Sequence, residues 1–311
     1  MTARVDGEVR FVEAGGVRLR AVIEGEGESL LVLHGFTGAA ESMACVSDPL
    51  RASYRVARLE LVGHGQSEAP DRVEAYSMDA CALQIAEASR ALGLERPHLL
   101  GYSMGGRAAL AAAVLRPAEF ASLILVGATA GIADPVLRRE RIASDEALAD
   151  RIERDGIESF VDDWMALPIF ASQSCLGAGA LERARIQRLE NRPEGLARSL
   201  RGMGAGAQRP LHDQLDRVVE PVLLVVGERD TKFRGLAASL EAAVPDARTK
   251  IVAGAGHAAH LEAPETFAAI AIEFLAEVGR RRPSRSATGR DESSAPAASR
   301  GPAASLVGEP R

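Results

Sequence analysis

Leu99-Leu100-Gly101-Tyr102-Ser103-Met104-Gly105-Gly106-Arg107 is the stretch whose reading decides the fold. An apolar run from Pro97 to Leu100 enters it, and an alanine-rich run from Arg107 to Leu115 leaves it. Gly-x-Ser-x-Gly between the two predicts strand, sharp turn and helix, with Ser103 at the apex. Glycines are needed on either side because side chains there collide as the strand and helix backbones converge, and the serine carries the strain of the turn. Its hydroxyl then stands clear of the sheet at a helix N-terminus, where amide dipoles favour developing negative charge. Alone the pattern is weak. A helix-entry loop with a capping serine can be read from the same five residues.

The flanking sequence extends the alternation. Phe11 to Glu24 alternates apolar and polar residues around Gly15-Gly16, which predicts an antiparallel hairpin at a sheet edge. Ser29 to His34 is a continuous apolar run, expected to be buried on both faces, and it ends in the loop Gly35-Phe36-Thr37-Gly38. Tyr54 to Leu61 predicts the next strand, followed by Gly63-His64-Gly65. Ser77 to Leu92 has helical spacing with Gly93 as its stop, and Ala121 to Val126 reads as a strand. Strands alternating with helices imply an α/β fold: a mostly parallel central sheet with helices on both faces.

From 134 to 208 the alternation stops. This segment is helical and arginine-rich, offers no convincing strand, and holds the single tryptophan, Trp164. Alternation resumes at Pro221 to Gly227, Leu236 to Val244 and Thr249 to Ala253, and closes with a helix from Pro264 to about Val278. The expected organisation is a core in two parts, 1–133 and 209–279, and a helical cap insertion, 134–208, over the C-terminal edge of the sheet, where open α/β folds bind ligands. The stretch 280–311 is poor in core-forming residues and is expected to be a disordered tail.

Composition narrows the classes. With 47% hydrophobic and 26% charged residues the chain is globular in character, and a net charge of −6 argues against nucleic acid as a partner. No run approaches the roughly 20 apolar residues of a membrane helix, and Met1 to Arg10 lacks an apolar signal core, so no membrane association is expected. Cys45, Cys81 and Cys175 are odd in number and scattered, with neither a disulfide framework nor metal-ligand spacing. A reduced, cytoplasmic protein is expected. Lysine occurs only at 232 and 250, so positive charge is almost entirely arginine, which grips carboxylates through a planar fork.

Two further strand ends give the serine turn its meaning. Glu228-Arg229-Asp230 follows the strand ending at Gly227, and Gly254-Ala255-Gly256-His257 follows the next. Taken singly, Asp230 reads as a helix cap and His257 as a polar loop residue. Taken together at one sheet edge, in the order Ser, Asp, His, they read as a catalytic triad. His257 would accept the Ser103 proton while Asp230 fixes its tautomer. The backbone amides of Phe36 and Met104 are the expected oxyanion donors. His34 is expected to order the loop behind it, His64 to be structural, and His260 to begin the last helix.

His34-Gly35, Gly63-His64-Gly65, Gly101-x-Ser103-x-Gly105, Asp230 and His257 resemble the α/β-hydrolase superfamily over about residues 10–278. Arg107, the run Trp164-Met165-Ala166-Leu167-Pro168-Ile169-Phe170-Ala171-Ser172-Gln173, the segment Arg188 to Gln208, and Gly227-Glu228-Arg229-Asp230-Thr231-Lys232-Phe233 narrow this. Together they look like the 2-succinyl-6-hydroxy-2,4-cyclohexadiene-1-carboxylate synthases, a family that eliminates pyruvate in menaquinone biosynthesis. Ala205 stands where that family usually has threonine, His212 where it often has tryptophan, and Glu60 where it usually has aspartate.

The resemblance implies a small polycarboxylate substrate, with no metal and no organic cofactor. It implies substrate contacts from Arg107 and from the cap residues Arg138, Arg141 and Arg188, each of which otherwise reads as part of a solvated helix face. Trp164 either anchors the cap core or walls the pocket, and the resemblance favours the pocket. Ser103 would act as a base and not as an acyl acceptor. An esterase or C–C bond hydrolase for an acidic substrate is the alternative with the same triad. A monomer or small homo-oligomer is expected.

Overall fold

The computed structural model describes residues 7–281 of the 311-residue chain. The expected tail, 280–311, therefore lies outside the described residues, apart from Arg280 and Arg281, which complete the last helix. The chain begins with β1 (Glu8–Ala14) and β2 (Val17–Glu24), a hairpin that turns on Gly15 and Gly16, both at positive φ. β3 (Glu28–Leu33), α1 (Ala44–Leu50), β4 (Tyr54–Leu59), α2 (Met78–Ala91), β5 (His98–Tyr102), α3 (Met104–Leu115) and β6 (Ser122–Val126) follow. Four cap helices come next: α4 (Pro135–Asp155), α5 (Ile157–Met165), α6 (Ala178–Leu189) and α7 (Pro193–Met203). β7 (Val222–Gly227), α8 (Thr231–Ala243), β8 (Ala247–Val252), α9 (Ala259–Glu262) and α10 (Pro264–Arg281) complete the described residues.

All eight strands form one sheet in the order β1-β2-β4-β3-β5-β6-β7-β8. β1 and β2 pair antiparallel, β2 meets β4 antiparallel, and every later pairing is parallel. Strand side chains alternate between faces, so each central strand feeds two cores. Leu31, Leu33, Leu99, Leu123 and Leu224 lie in a cluster with residues of α2, α3 and α8. Leu30, Val32, Leu100, Ile124 and Leu223 lie in another with α1 and α10. Burial on both faces explains why these strands are uninterrupted apolar runs.

Three boundaries depart from expectation. α8 begins at Thr231 and not at Leu236, because the Asp230 carboxylate caps it, accepting from the Phe233 N–H at 3.2 Å. His260 belongs to the separate short helix α9, ahead of Pro264. α1 has no counterpart in the periodicity, since it is short and contains Pro49; burial of Val46 and Leu50 in the α10-side core holds it.

Between β6 and β7 the segment forms helices and no strand. Asp134 caps α4 by accepting from the Val136 and Leu137 amides at 2.7 and 3.0 Å, with Pro135 in the first turn. Ala149, Ile152, Phe160, Val161, Leu196, Ala197 and Leu200 give the cap its own apolar cluster, and Phe36 of the core packs against it. α7 rests on the loop after β4 with almost no side chain between them: a Cβ added to Gly195 would stand 2.3 Å from the Gly63 carbonyl oxygen.

Candidate active site

Ser103 joins β5 to α3 at φ 51°, ψ −107°, a strained backbone for a residue with a side chain. The flanking glycines allow it. A Cβ on Gly101 would lie 2.3 Å from the Gly105 carbonyl oxygen, and one on Gly105 would lie 2.5 Å from that of His34. The apex is pinned by the Ser103 N–H donating to the Val126 carbonyl at 2.8 Å and by the Arg107 N–H donating to the Ser103 carbonyl at 3.0 Å.

The three residues picked from separate strand ends meet here. His257 Nε2 stands 3.1 Å from Ser103 Oγ, and Nδ1 stands 2.8 Å from Asp230 Oδ2. A carboxylate only accepts, so Nδ1 carries the proton and Nε2 is left to accept from the serine hydroxyl. The imidazole is 4% exposed, with the Phe233 ring 4.4 Å away between centroids. Its loop is braced from both sides: the Gly256 and Ala258 amides donate to the Glu262 carboxylate at 2.6 and 3.2 Å. Such an arrangement can take a proton from, or through, the serine oxygen.

The loop after β3 supplies the other half. Gly38 N–H donates to the Gly35 carbonyl at 3.0 Å, closing a tight turn with Phe36 and Thr37 in its centre and Thr37 at φ 66°. No hydrogen bond runs from the N–H groups of Phe36 or Met104 to another group among the described residues. His34 sits beneath this turn. Its Nε2 accepts from the Leu61 N–H at 3.0 Å and its Nδ1 donates to the Gly35 carbonyl at 2.8 Å. Burial pushes the His34 pKa down to about 4, and burial with His34 alongside pushes that of His64 to about 3. Both are neutral supports. His260, buried with its ring 4.4 Å from that of Tyr102, is likewise held down at about 3 by burial.

The arginines divide sharply. Arg107 is 8% exposed, and among the described residues its guanidinium donates only to the neutral Gln208 Oε1, at 2.8 Å. Burial, reinforced by Arg141 and partly opposed by Asp145, lowers its pKa to about 10. Arg188 is lowered by burial too. It donates to the Ala184 carbonyl at 2.8 Å, has no acidic partner among the described residues, and leaves its Nε without any partner. Arg141 is paired with Asp145 at 2.7 Å. Arg138 is half-buried and has no ion pair among the described residues; nothing ties it to the other three. Arg141 thus lies within electrostatic reach of Arg107, and Arg188 within that of Tyr102. Trp164 belongs to the packing of the cap and does not line the cleft beside Asp230 and His257. It packs with Phe160 and Phe170 inside the cap and stands edge-on to Phe36, ring centroids 5.2 Å apart.

Sequence reading missed Gln208, Asp145, Glu262 and Asn191, because a lone polar residue in a helix or loop carries no signal until its partner is known. It also missed Arg229, which with Ser172 and Ser174 lines a cleft of about 400 Å³ beside Asp230 and His257. Among the described residues no group of three or more His, Cys, Asp or Glu side chains could hold a metal, and no helix is long and apolar enough to cross a membrane.

With this geometry in hand, comparison with known proteins is specific. The α/β hydrolase fold family profile matches residues 28–264. A Bacillus subtilis (strain 168) protein designated a candidate 2-succinyl-6-hydroxy-2,4-cyclohexadiene-1-carboxylate synthase is 39% identical over 274 residues, covering 88% of this chain and 100% of that protein. The synthase of that name from Serratia proteamaculans (strain 568) is 33% identical, covering 80% of this chain and 94% of its own. Among solved structures, MenH from S. aureus superposes with a TM-score of 0.79 at 30% identity, covering 90% of this chain and 100% of its own.

Proposed function

The chain belongs to the α/β hydrolase fold family and, within it, groups with the 2-succinyl-6-hydroxy-2,4-cyclohexadiene-1-carboxylate synthases, and on that premise we propose that it eliminates pyruvate from 2-succinyl-5-enolpyruvyl-6-hydroxy-3-cyclohexene-1-carboxylate in menaquinone biosynthesis. The change from a 3-ene to a 2,4-diene defines the work. A proton leaves ring carbon 2, beside the succinyl carbonyl; the ring double bond shifts; and the enolpyruvyl oxygen departs from carbon 5.

Ser103, deprotonated through His257, is the base that takes the proton, with Asp230 holding the imidazole and stabilising its charged form. Charge spreads into the succinyl carbonyl, where the Phe36 and Met104 amides receive it. Arg107, Arg188 and Arg141 meet the carboxylates, and Arg138 is the outermost candidate. Every charge in the scheme has a protein group to meet it, so it draws on no metal or organic cofactor. A small polycarboxylate is the ligand, with no nucleic-acid or membrane partner, for a monomer or small homo-oligomer. Three free cysteines accord with a cytoplasmic setting.

One observation carries the reading: Arg107, one turn beyond Ser103, is a buried cation whose only hydrogen-bond partner among the described residues is neutral. A buried charge in that state wants an anion, and the substrate brings one. Pyruvate release from the purified substrate, followed with lactate dehydrogenase, tests it on wild type beside Ser103→Ala. Release by the wild type alone is expected. Rapid aryl-ester cleavage with no pyruvate would sink the lyase in favour of a hydrolase.

A further inference from the structure

We infer that Asn191, in the cap, is a positioning residue for the oxyanion turn, so that seating the cap and aiming the Phe36 amide are a single event; this rests on the reaction proposed above. Asn191 is 4% exposed and lies between α6 and α7, yet two of the three hydrogen bonds of its carboxamide reach the core. Its Oδ1 accepts from the Gly65 N–H at 2.9 Å. Its Nδ2 donates to the Thr37 carbonyl at 2.9 Å and to the Arg188 carbonyl at 3.0 Å. The orientation of the amide is forced, since an N–H can only donate and a carbonyl only accept.

Thr37 is the residue that gives this bond its leverage. It is buried, and a β-branched residue at φ 66° persists only where its surroundings hold it there. Phe36 and Thr37 are the two central residues of the turn that the Gly38 N–H closes on the Gly35 carbonyl. Fixing the Thr37 carbonyl from above fixes the plane of the turn, and with it the direction of the Phe36 N–H. The Phe36 ring is held from the same side, by Phe160 at 6.1 Å and Trp164 at 5.2 Å between centroids. Gly195 against Gly63 lets the cap come close enough for Asn191 to reach both loops.

The third bond extends the link to the substrate. The Arg188 carbonyl accepts from the same Nδ2 that holds Thr37, so a carboxylate gripped by the Arg188 guanidinium is two hydrogen bonds, both through the Asn191 amide, from the oxyanion turn. Capture of the substrate by the cap therefore stiffens the donor that the reaction needs. Errors in the placement of such donors fall mainly on the chemical step.

The experiment compares Asn191→Ala and Asn191→Asp with wild type by steady-state pyruvate release and by hydrogen exchange of peptides covering 34–40. Asn191→Ala is expected to lower kcat about 10- to 100-fold with KM changed less than about threefold, and to speed exchange at 34–40. Asn191→Asp keeps the volume and the acceptor for Gly65 but turns an anionic oxygen towards Thr37, so kcat should fall at least as far. Gln187→Ala removes only a 3.4 Å contact to the same Thr37 carbonyl and should leave kcat within about threefold. Unchanged exchange, or a higher KM at full kcat, would overturn the inference, and so would a drop in melting temperature with normal kinetics. A wild type that releases no pyruvate breaks the functional reading instead, and the strap then stands or falls on exchange alone.

Discussion

The sheet edge and the cap above it hold charge in opposite ways. At the edge, His34, His64, His260 and Arg107 are buried, and none of them has an ion-pair partner among the described residues. In the cap, arginines are plentiful and mostly neutralised at the surface. Arg185 meets Asp162 at 2.6 Å, and Arg201 reaches Glu146, Asp150 and Glu153 at 2.8, 2.6 and 2.8 Å. Exposed pairs of this kind contribute about 1 kcal/mol or less each. The contrast teaches that abundance of arginine says little about an anionic substrate. Burial without an acidic partner says a good deal: of the buried arginines among the described residues, Arg20 and Arg58 meet Glu60 and Glu24, whereas Arg107 meets no acid.

The largest effects should fall on the edge. Ser103→Ala and His257→Ala are expected to lower kcat by about a thousandfold or more while thermal unfolding stays as in wild type. Residual pyruvate release close to wild type in Ser103→Ala would remove the edge from the chemistry altogether.

Acid should strain the same region next. Burial holds His34 at about 4, and His64 and His260 at about 3, whereas in the unfolded chain each titrates near 6.5. Below about 6.5 the unfolded state binds more protons than the folded one, so stability falls as pH drops towards 4 and, for His64 and His260, on towards 3. His34 alone contributes roughly 3 kcal/mol to that loss. Urea unfolding at pH 7 and pH 5 measures it, and a midpoint that does not fall would show that the histidines are not held neutral.

The two classes of arginine then separate. Arg107→Ala should lower kcat/KM by about 1.5–3 kcal/mol, roughly 10- to 150-fold, if a carboxylate is its partner. Unchanged kinetics would return Arg107 to a structural role with Gln208. Smallest of all, Arg201→Ala should cost about 1 kcal/mol of stability or less and leave kcat/KM within about threefold, by chemical denaturation and the same assay. A large kinetic effect at Arg201 would erase the distinction between paired and unpaired arginines.

Much of this edge was legible before any coordinates. Gly101 and Gly105 announced the turn because no other residue fits between backbones that close, Asp230 announced itself by following the buried apolar strand β7, and His257 by following the next, more exposed strand β8. Those signals are local: a period of two along a strand, a glycine where a Cβ collides, a cap at a helix start. The early start of α8 escaped because Asp230 does two jobs, capping the helix with Oδ1 and holding His257 with Oδ2. Sequence by itself determined the alternating sheet, its helical interruption and the three residues, Ser103, Asp230 and His257, whose side chains meet at the sheet edge. Only the tertiary structure decided which arginine lacks an acid, and that Asn191 joins Gly65 and Thr37 across 126 and 154 residues of chain. Partnerships between cap and core depend on distances that packing sets between segments far apart in sequence, and no periodicity encodes them.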